Sequence, residues 1–211
     1  MILVIGAGGQ TGQLIVEALS KTGQPVRAMV RREAQQAELL GLGASEVVVA
    51  DLEGEWQAAL IGCDGVIFAA GAGVGGRAAN VDHLGAVSAI RALEASAGKR
   101  FVMVTSMGTT YPERLPFIEA VLREKRKAEL VLEASALNWT IVRPGGLTNA
   151  PATGRVRVGS ALEVGGMVPR ADVAALCAAV YTDARSHGRV LEVISGDTPL
   201  AEALEVVLES R

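Results

Sequence analysis

The chain has 211 residues, half of them apolar, with 23 acidic and 20 basic side chains and no run of like charge. That length and apolar content can bury a substantial core, so one domain over 1–211 is expected. The near balance of charge argues against the broad basic face that nucleic acid or anionic lipid needs, and no apolar stretch reaches the roughly 18 residues of a membrane span.

The opening "MILVI" is apolar, but Gly6 ends it at once and no basic region precedes it, so it reads as a strand rather than a signal peptide. A helix is predicted over 11–22, and the loop between them is "GAGGQTG", with Gly6, Gly9 and Gly12 three apart. A tight turn after a strand, a close approach of pyrophosphate to backbone amides, and helix-on-strand packing each favour a residue without Cβ. The helix N-terminus adds positive potential. A glycine triplet alone would be weak evidence; placed between the first strand and the first helix, it points to a dinucleotide on Gly6, Gly9, Gln10, Thr11 and Gly12.

The second strand, 26–30, ends in Arg31 and Arg32, and Arg31 falls nineteen residues past Gly12. An NAD-specific fold presents an acid to the ribose 2′-hydroxyl near this point. A guanidinium there matches a 2′-phosphate instead, so the pair favours NADP(H). The alternative is a solvated basic pair at a strand end, with Glu33 close by.

A helix over 33–41 leads to a third strand, 46–50, which is followed by Asp51 and Leu52, placed to flank an adenine; Asp51 would equally suit a helix N-cap. After a predicted helix at 54–61 comes a fourth strand, 65–69, ending "FAAGAGVGG". Ala69, Ala70 and Gly71 there form a wall of small residues on which a cofactor can lie.

A helix over 81–97, a fifth strand over 100–105, a helix over 117–136 and a sixth strand over 139–143 continue the alternation. Continuous apolar strands joined by helical crossovers require a parallel sheet covered on both faces, a doubly wound α/β fold. Beyond Arg143 the rhythm changes to a Gly/Pro/Thr-rich loop. A strand near 155–158, a helix at 171–184, a strand at 190–194 and a helix from 199 then form an extension over the carboxyl edge of the sheet.

The segments "KRFVMVTSMG", "NWTIVRPGGLTN", "VPRADVAALCAAVY" and "VISGDTP", with the glycine loop, resemble the NAD(P)H-binding branch of the atypical short-chain dehydrogenase/reductases, which includes NmrA-like and flavin-reductase-like proteins. The resemblance spans nearly the whole chain. It implies a Rossmann-like fold, NADP(H) across the carboxyl edge with Pro144 and Gly145 beside the nicotinamide, and a small-molecule pocket under the C-terminal extension.

Reductases of the wider superfamily use serine, tyrosine and lysine, the last two as YxxxK on the helix after the fifth strand. Ser106 fits the serine, and the family spacing brings the lysine to Lys125, but the tyrosine's place is held by Val121. Helical spacing also puts Ile118, Leu122, Lys125, Glu129 and Leu132 on one face, so Lys125 points inward and Lys127 away. An inward lysine serves a ligand, snorkels, or pairs with Glu129.

Valine transfers no proton. The resemblance therefore implies reduction of a flavin, quinone or similar small redox acceptor, where solvent can supply the proton, or else a cofactor-binding sensor without turnover. Tyr111 reads as a surface residue, His83 as structural and Asp82 as a cap. The two histidines and two cysteines offer no metal-ligand spacing. Distant cysteines of this kind read as reduced and buried, which fits a cytoplasmic monomer or homodimer.

Overall fold

In the computed structural model, which describes residues 1–72 and 77–210, the apolar runs form strands where the sequence placed them. Strands β1 (Ile2–Ile5), β2 (Val26–Val30), β3 (Glu46–Val49), β4 (Gly65–Phe68), β5 (Arg100–Val104) and β6 (Asn138–Pro144) pair in parallel in the order β3-β2-β1-β4-β5-β6. Every residue of β1, β4 and β5 is buried, as a sheet covered on both faces demands.

Alternation along the strands divides the core in two. Ile2 and Val4 face one layer with Ile15, Val16 and Leu19 of helix α1 (Gln10–Lys21) and Val173, Leu176 and Val180 of helix α5 (Arg170–Thr182). Leu3 and Ile5 face the other, with Phe68, Phe101, Ile90 and Leu93 of helix α3 (Ala86–Glu94) and Leu132 of helix α4 (Glu119–Glu133). This follows from the two-residue period of a strand.

The last third does more than lie over the carboxyl edge, because it widens the sheet. Strand β10 (Arg189–Ser195) pairs in parallel with β6, and β8 (Arg155–Gly159) runs antiparallel beside β10. The two-residue β11 (Thr198–Pro199) borders β8 and leads into helix α6 (Leu200–Glu209). Two strands too short for a sequence pattern, β7 (Gly146–Thr148) and β9 (Met167–Pro169), form a separate parallel pair just beyond the end of β6.

Three helix expectations need correction. Over 54–61 there is only a 3₁₀ turn, Gln57–Leu60, because the segment between Gly54 and Gly62 is too short to repay helix nucleation. The stretch 33–41 begins as a 3₁₀ turn and is α-helical only at α2 (Gln36–Gly41). The stretch 81–97 opens with a π-helical segment, Ala79–Gly85, ahead of α3.

Candidate functional site

The chain leaves β1 for β2 on one side and returns to β4 on the other, so the strand order reverses between β1 and β4. Crevices in open α/β sheets form at such a reversal, beyond the carboxyl ends of the strands. A cleft of about 660 Å³ lies there, reached by the ends of β1, β2, β3 and β4.

Its floor is the glycine loop. Gly6 has φ +84°, and a Cβ on it would stand 2.6 Å from the Ala70 amide nitrogen, so the loop can lie against the end of β4 only as glycine. At Gly12 a Cβ would stand 2.2 Å from the Gly6 carbonyl oxygen; this glycine seats helix α1 on the loop.

Gly9 differs. A Cβ there would meet only the Gly6 carbonyl oxygen, at 3.4 Å, and otherwise open space. Gly9 lines the cleft and is the N-cap of α1, and no side chain caps that helix end. The first amides of α1 thus keep their donors for an outside acceptor. Gln10, Thr11 and Gly12 follow immediately, outside the cleft lining. Gln35, which the sequence did not single out, lines the cleft and donates from Nε2 to the Gly8 carbonyl at 3.0 Å.

Arg31 and Arg32 line the cleft from the end of β2; both are exposed, and neither guanidinium has an ion pair or hydrogen bond among the described residues, the Arg32 carbonyl alone accepting the Gln35 amide at 3.1 Å. Asp51 and Leu52 line the wall beyond β3. Asp51 caps no helix, since none forms at 54–61; its carboxylate accepts the Glu53 amide at 3.0 Å and tightens the turn. Glu53, which lines the same cleft, is engaged by Arg77 at 3.0 Å and by Asn80.

Ala69, Ala70 and Gly71 form the small wall beyond β4, where the Ala69 amide donates to the Ile5 carbonyl at 2.9 Å. Residues 73–76 of "FAAGAGVGG" lie outside the described residues.

Lys125 stands behind this wall. A Cβ on Gly71 would lie 3.2 Å from Asp82 Oδ1 and 3.8 Å from Lys125 Nζ. The lysine pairs with Asp82 at 2.7 Å, while the other Asp82 oxygen accepts the Ala72 amide at 2.9 Å. The partner is therefore Asp82 and not Glu129, and Asp82 fixes the lysine and the chain after β4 instead of capping a helix.

Ser106 follows β5, one strand further along the same edge, and its hydroxyl donates to the Met107 carbonyl at 3.1 Å. The Met107 amide in turn donates to the Pro144 carbonyl at 2.9 Å, tying Ser106 to the end of β6. Gly145 packs tightly: a Cβ would stand 2.2 Å from the Gly166 carbonyl oxygen. None of Ser106, Lys125, Pro144 and Gly145 belongs to the cleft lining itself. His83 contacts Glu124 through Nδ1 at 3.1 Å, and Tyr111 is exposed against Arg114.

Glu129 is fully buried and proves to be the centre of a polar network. Its carboxylate takes two bonds from Arg143, at 3.0 and 2.7 Å, one from Arg126 at 3.1 Å, and the hydroxyls of Thr105 at 2.6 Å and Thr109 at 3.1 Å. A charge of this kind is tolerated only when paired and hydrogen-bonded. The network binds α4 and the end of β6 to the segment that carries Ser106. The sequence signal was a glutamate on the inward face of α4, with an arginine waiting in "TIVRPGGL".

Among the described residues no group of three or more His, Cys, Asp and Glu side chains is placed to hold a metal, and no helix is long and apolar enough to cross a membrane. Cys63 and Cys177 are free and buried, and burial pushes both thiols up, Cys177 to about 12.

A parallel sheet with a glycine loop at its reversal, an uncapped helix end and a cleft across the strand termini define a Rossmann-like nucleotide-binding protein with an oxidoreductase-like fold. A family model described as NAD(P)H-binding matches residues 6–184, and the chain belongs to that family. It is 40% identical over 212 residues, 97% of this chain and 98% of the relative, to a Bacillus subtilis protein described as an uncharacterized sugar epimerase, YhfK. Among solved structures it is similar to a putative NAD-dependent epimerase/dehydratase from Bacillus halodurans, with a TM-score of 0.94, 38% identity, and 97% and 98% of the two chains covered. It is also similar to ChuY, described as an anaerobillin reductase from Escherichia coli O157:H7, with a TM-score of 0.79, 28% identity, and 93% and 97% covered.

Proposed function

We propose that this chain binds NADP(H) in preference to NAD(H) and uses it to reduce a flavin, a quinone or another small redox acceptor. The observation that carries the cofactor choice is the pair of guanidinium groups of Arg31 and Arg32, without a partner among the described residues, on the cleft beside a Glu53 already engaged by Arg77. The residues fit the group: Gly9 leaves open space over an uncapped helix end, and Gly6 admits the close approach of loop to strand.

Gly6, Gly9 and the first amides of α1, from Gln10, Thr11 and Gly12, hold the pyrophosphate. Arg31 and Arg32 hold the 2′-phosphate, Asp51 and Leu52 flank the adenine, and Ala69, Ala70 and Gly71 give the dinucleotide a flat wall. Pro144 and Gly145 lie at the nicotinamide end. When bound, the dinucleotide supplies a hydride.

Lys125, fixed by Asp82 behind Gly71, provides a positive charge and N–H donors at the centre of the edge. Ser106 offers a hydroxyl to an acceptor oxygen. Val121, one turn before Lys125 on α4, offers nothing to a proton. Hydride transfer to a redox ring suits this set, because positioning and electrostatics can carry it while solvent supplies the proton. Reversible oxidation of a sugar hydroxyl, a reading to which the name of one relative, a sugar epimerase, points, needs a group to take the hydroxyl proton and suits it less. The reductase described for ChuY supports the acceptor reading.

The same missing tyrosine favours a second reading, a cofactor-binding sensor without turnover. NADPH oxidation followed against a panel of flavins, quinones and aldehydes separates the two: turnover with a ring acceptor supports the reductase, and tight NADPH binding with no turnover refutes it. The free, buried thiols agree with a reducing compartment, and a cytoplasmic setting completes the proposal.

A further inference from the structure

The segment "VPRADVA" has so far played no part in the site, yet it brings a cation to the start of α1. Helix α5 begins at Arg170 and packs against α1 through the shared core of Ile15, Leu19, Val173 and Leu176. It leads into β10, which runs parallel to β6, so α5, like α1, starts at the carboxyl edge of the sheet. The two N-termini lie side by side: Arg170 Nε donates to Gln10 Oε1 at 3.0 Å. Neither end carries a side-chain cap.

Asp172, in the first turn of α5, is committed elsewhere: its carboxylate accepts the amides of Thr153 and Gly154 at 3.0 and 2.9 Å and the Thr153 hydroxyl at 2.9 Å. Arg170 has no ion pair among the described residues, and its Nη1 is buried with no hydrogen-bond partner. Folded proteins seldom leave a buried donor unmet, least of all on a guanidinium. Two positive helix ends and an incompletely bonded arginine meet at Gln10, the residue that follows the cleft-lining Gly9; Arg170 and Gln10 themselves stand just outside the cleft lining.

We propose that Arg170 is a phosphate-binding residue of the dinucleotide site: its guanidinium serves the pyrophosphate at the N-terminus of α1, and Gln10 Oε1 is its partner in the free protein. This rests on the reading of the cleft as a dinucleotide site. The role differs from that of Arg31 and Arg32, since the pyrophosphate is common to NADP(H) and NAD(H). Arg170 therefore adds affinity for both without discriminating between them.

The test uses the full chain and direct binding. Wild type, Arg170→Met and Arg170→Lys are titrated calorimetrically with NADPH, NADH and adenosine 2′-monophosphate, which lacks the pyrophosphate, at low and moderate salt. Arg170→Met should lose about tenfold or more in affinity for both dinucleotides, as expected when a charge-assisted hydrogen bond is removed. It should also show a weaker salt dependence, with adenosine 2′-monophosphate unaffected; Arg170→Lys should recover part of the loss. The melting temperature of the ligand-free Met variant should stay near wild type, while its rise on adding NADPH shrinks. Unchanged dinucleotide affinity would overturn the assignment, and so would an equal loss for adenosine 2′-monophosphate, which would mean a general disturbance of the cleft. Wild type that binds neither dinucleotide would refute the site reading itself, a result separable from failure of the Arg170 variants alone.

Discussion

Lys125 Nζ lies 2.7 Å from Asp82 Oδ1, and this ion pair joins helix α4 to the chain just past β4, immediately behind Gly71. Asp82 is 2% exposed and Lys125 16%, so each is the other's counter-charge in a place with little water. Lys125→Met would leave the carboxylate, among the described residues, with the Ala72 amide alone. The variant should lose about 3 kcal/mol of stability in urea unfolding, the low end for breaking a buried pair because the lysine keeps some solvent. It should also bind NADPH about tenfold more weakly; unchanged affinity in a folded variant would remove Lys125 from the site.

Two of the loop glycines, Gly9 and Gly12, should separate. Gly9→Ala meets no protein atom closer than 3.4 Å and sits at φ −84°, open to any residue, so its stability should fall only by the loss of a favourable N-cap residue, about 1 kcal/mol. Dinucleotide affinity should nevertheless collapse, because the methyl occupies the space over the helix end. Gly12→Ala drives a Cβ to 2.2 Å from the Gly6 carbonyl oxygen and should lower both stability and binding. Thermal melts beside titration calorimetry read the contrast.

Removing the Glu129 carboxylate with Glu129→Ala leaves Arg143, which is 6% exposed, with the Thr110 hydroxyl at 2.9 Å and the more distant Glu192 carboxylate at 3.9 Å, and should cost about 3 kcal/mol. The double variant Glu129→Met with Arg143→Met removes both charges and should recover much of that loss. Denaturant titrations of the single and double variants decide; a nearly neutral single variant would show that the network does not hold the Ser106 segment.

Burial pushes the Cys177 thiol from its ordinary 9.0 up to about 12. Above pH 9 the unfolded chain releases this proton while the folded chain retains it, so the unfolded state binds fewer protons and stability falls as pH rises. The contribution is complete below pH 9 and declines by about 1.4 kcal/mol per pH unit until the folded thiol itself ionises. Stability measured from pH 9 to 11 should therefore fall more steeply in wild type than in Cys177→Ala. Parallel curves would contradict it.

Much of the fold was legible because the central strands are buried on both faces and must be apolar throughout. "ILVI", "GVIF" and "RFVMV" can be read that way, whereas β7, β9 and β11, of two or three residues, carry no pattern. The 54–61 segment misled because its buried Trp56 and Leu60 imitate a helical stripe that Gly54 and Gly62 cut short. Spacing showed that Lys125 and Glu129 face inward. It could not name their partners, since Asp82 and Arg143 come from other elements and meet them only through tertiary packing. Arg170 was hidden for the same reason: it is 160 positions from Gln10, and only the docking of α5 on α1 brings them together.

The central claim is that the cleft takes the phosphorylated dinucleotide through Arg31 and Arg32. Titration calorimetry of wild type and Arg31→Ala with NADPH and NADH tests it most directly. Wild type should prefer NADPH by about tenfold or more, and Arg31→Ala should lose most of that preference while its affinity for NADH is unchanged. A wild type that prefers NADH, or a variant that loses both ligands equally, would contradict it.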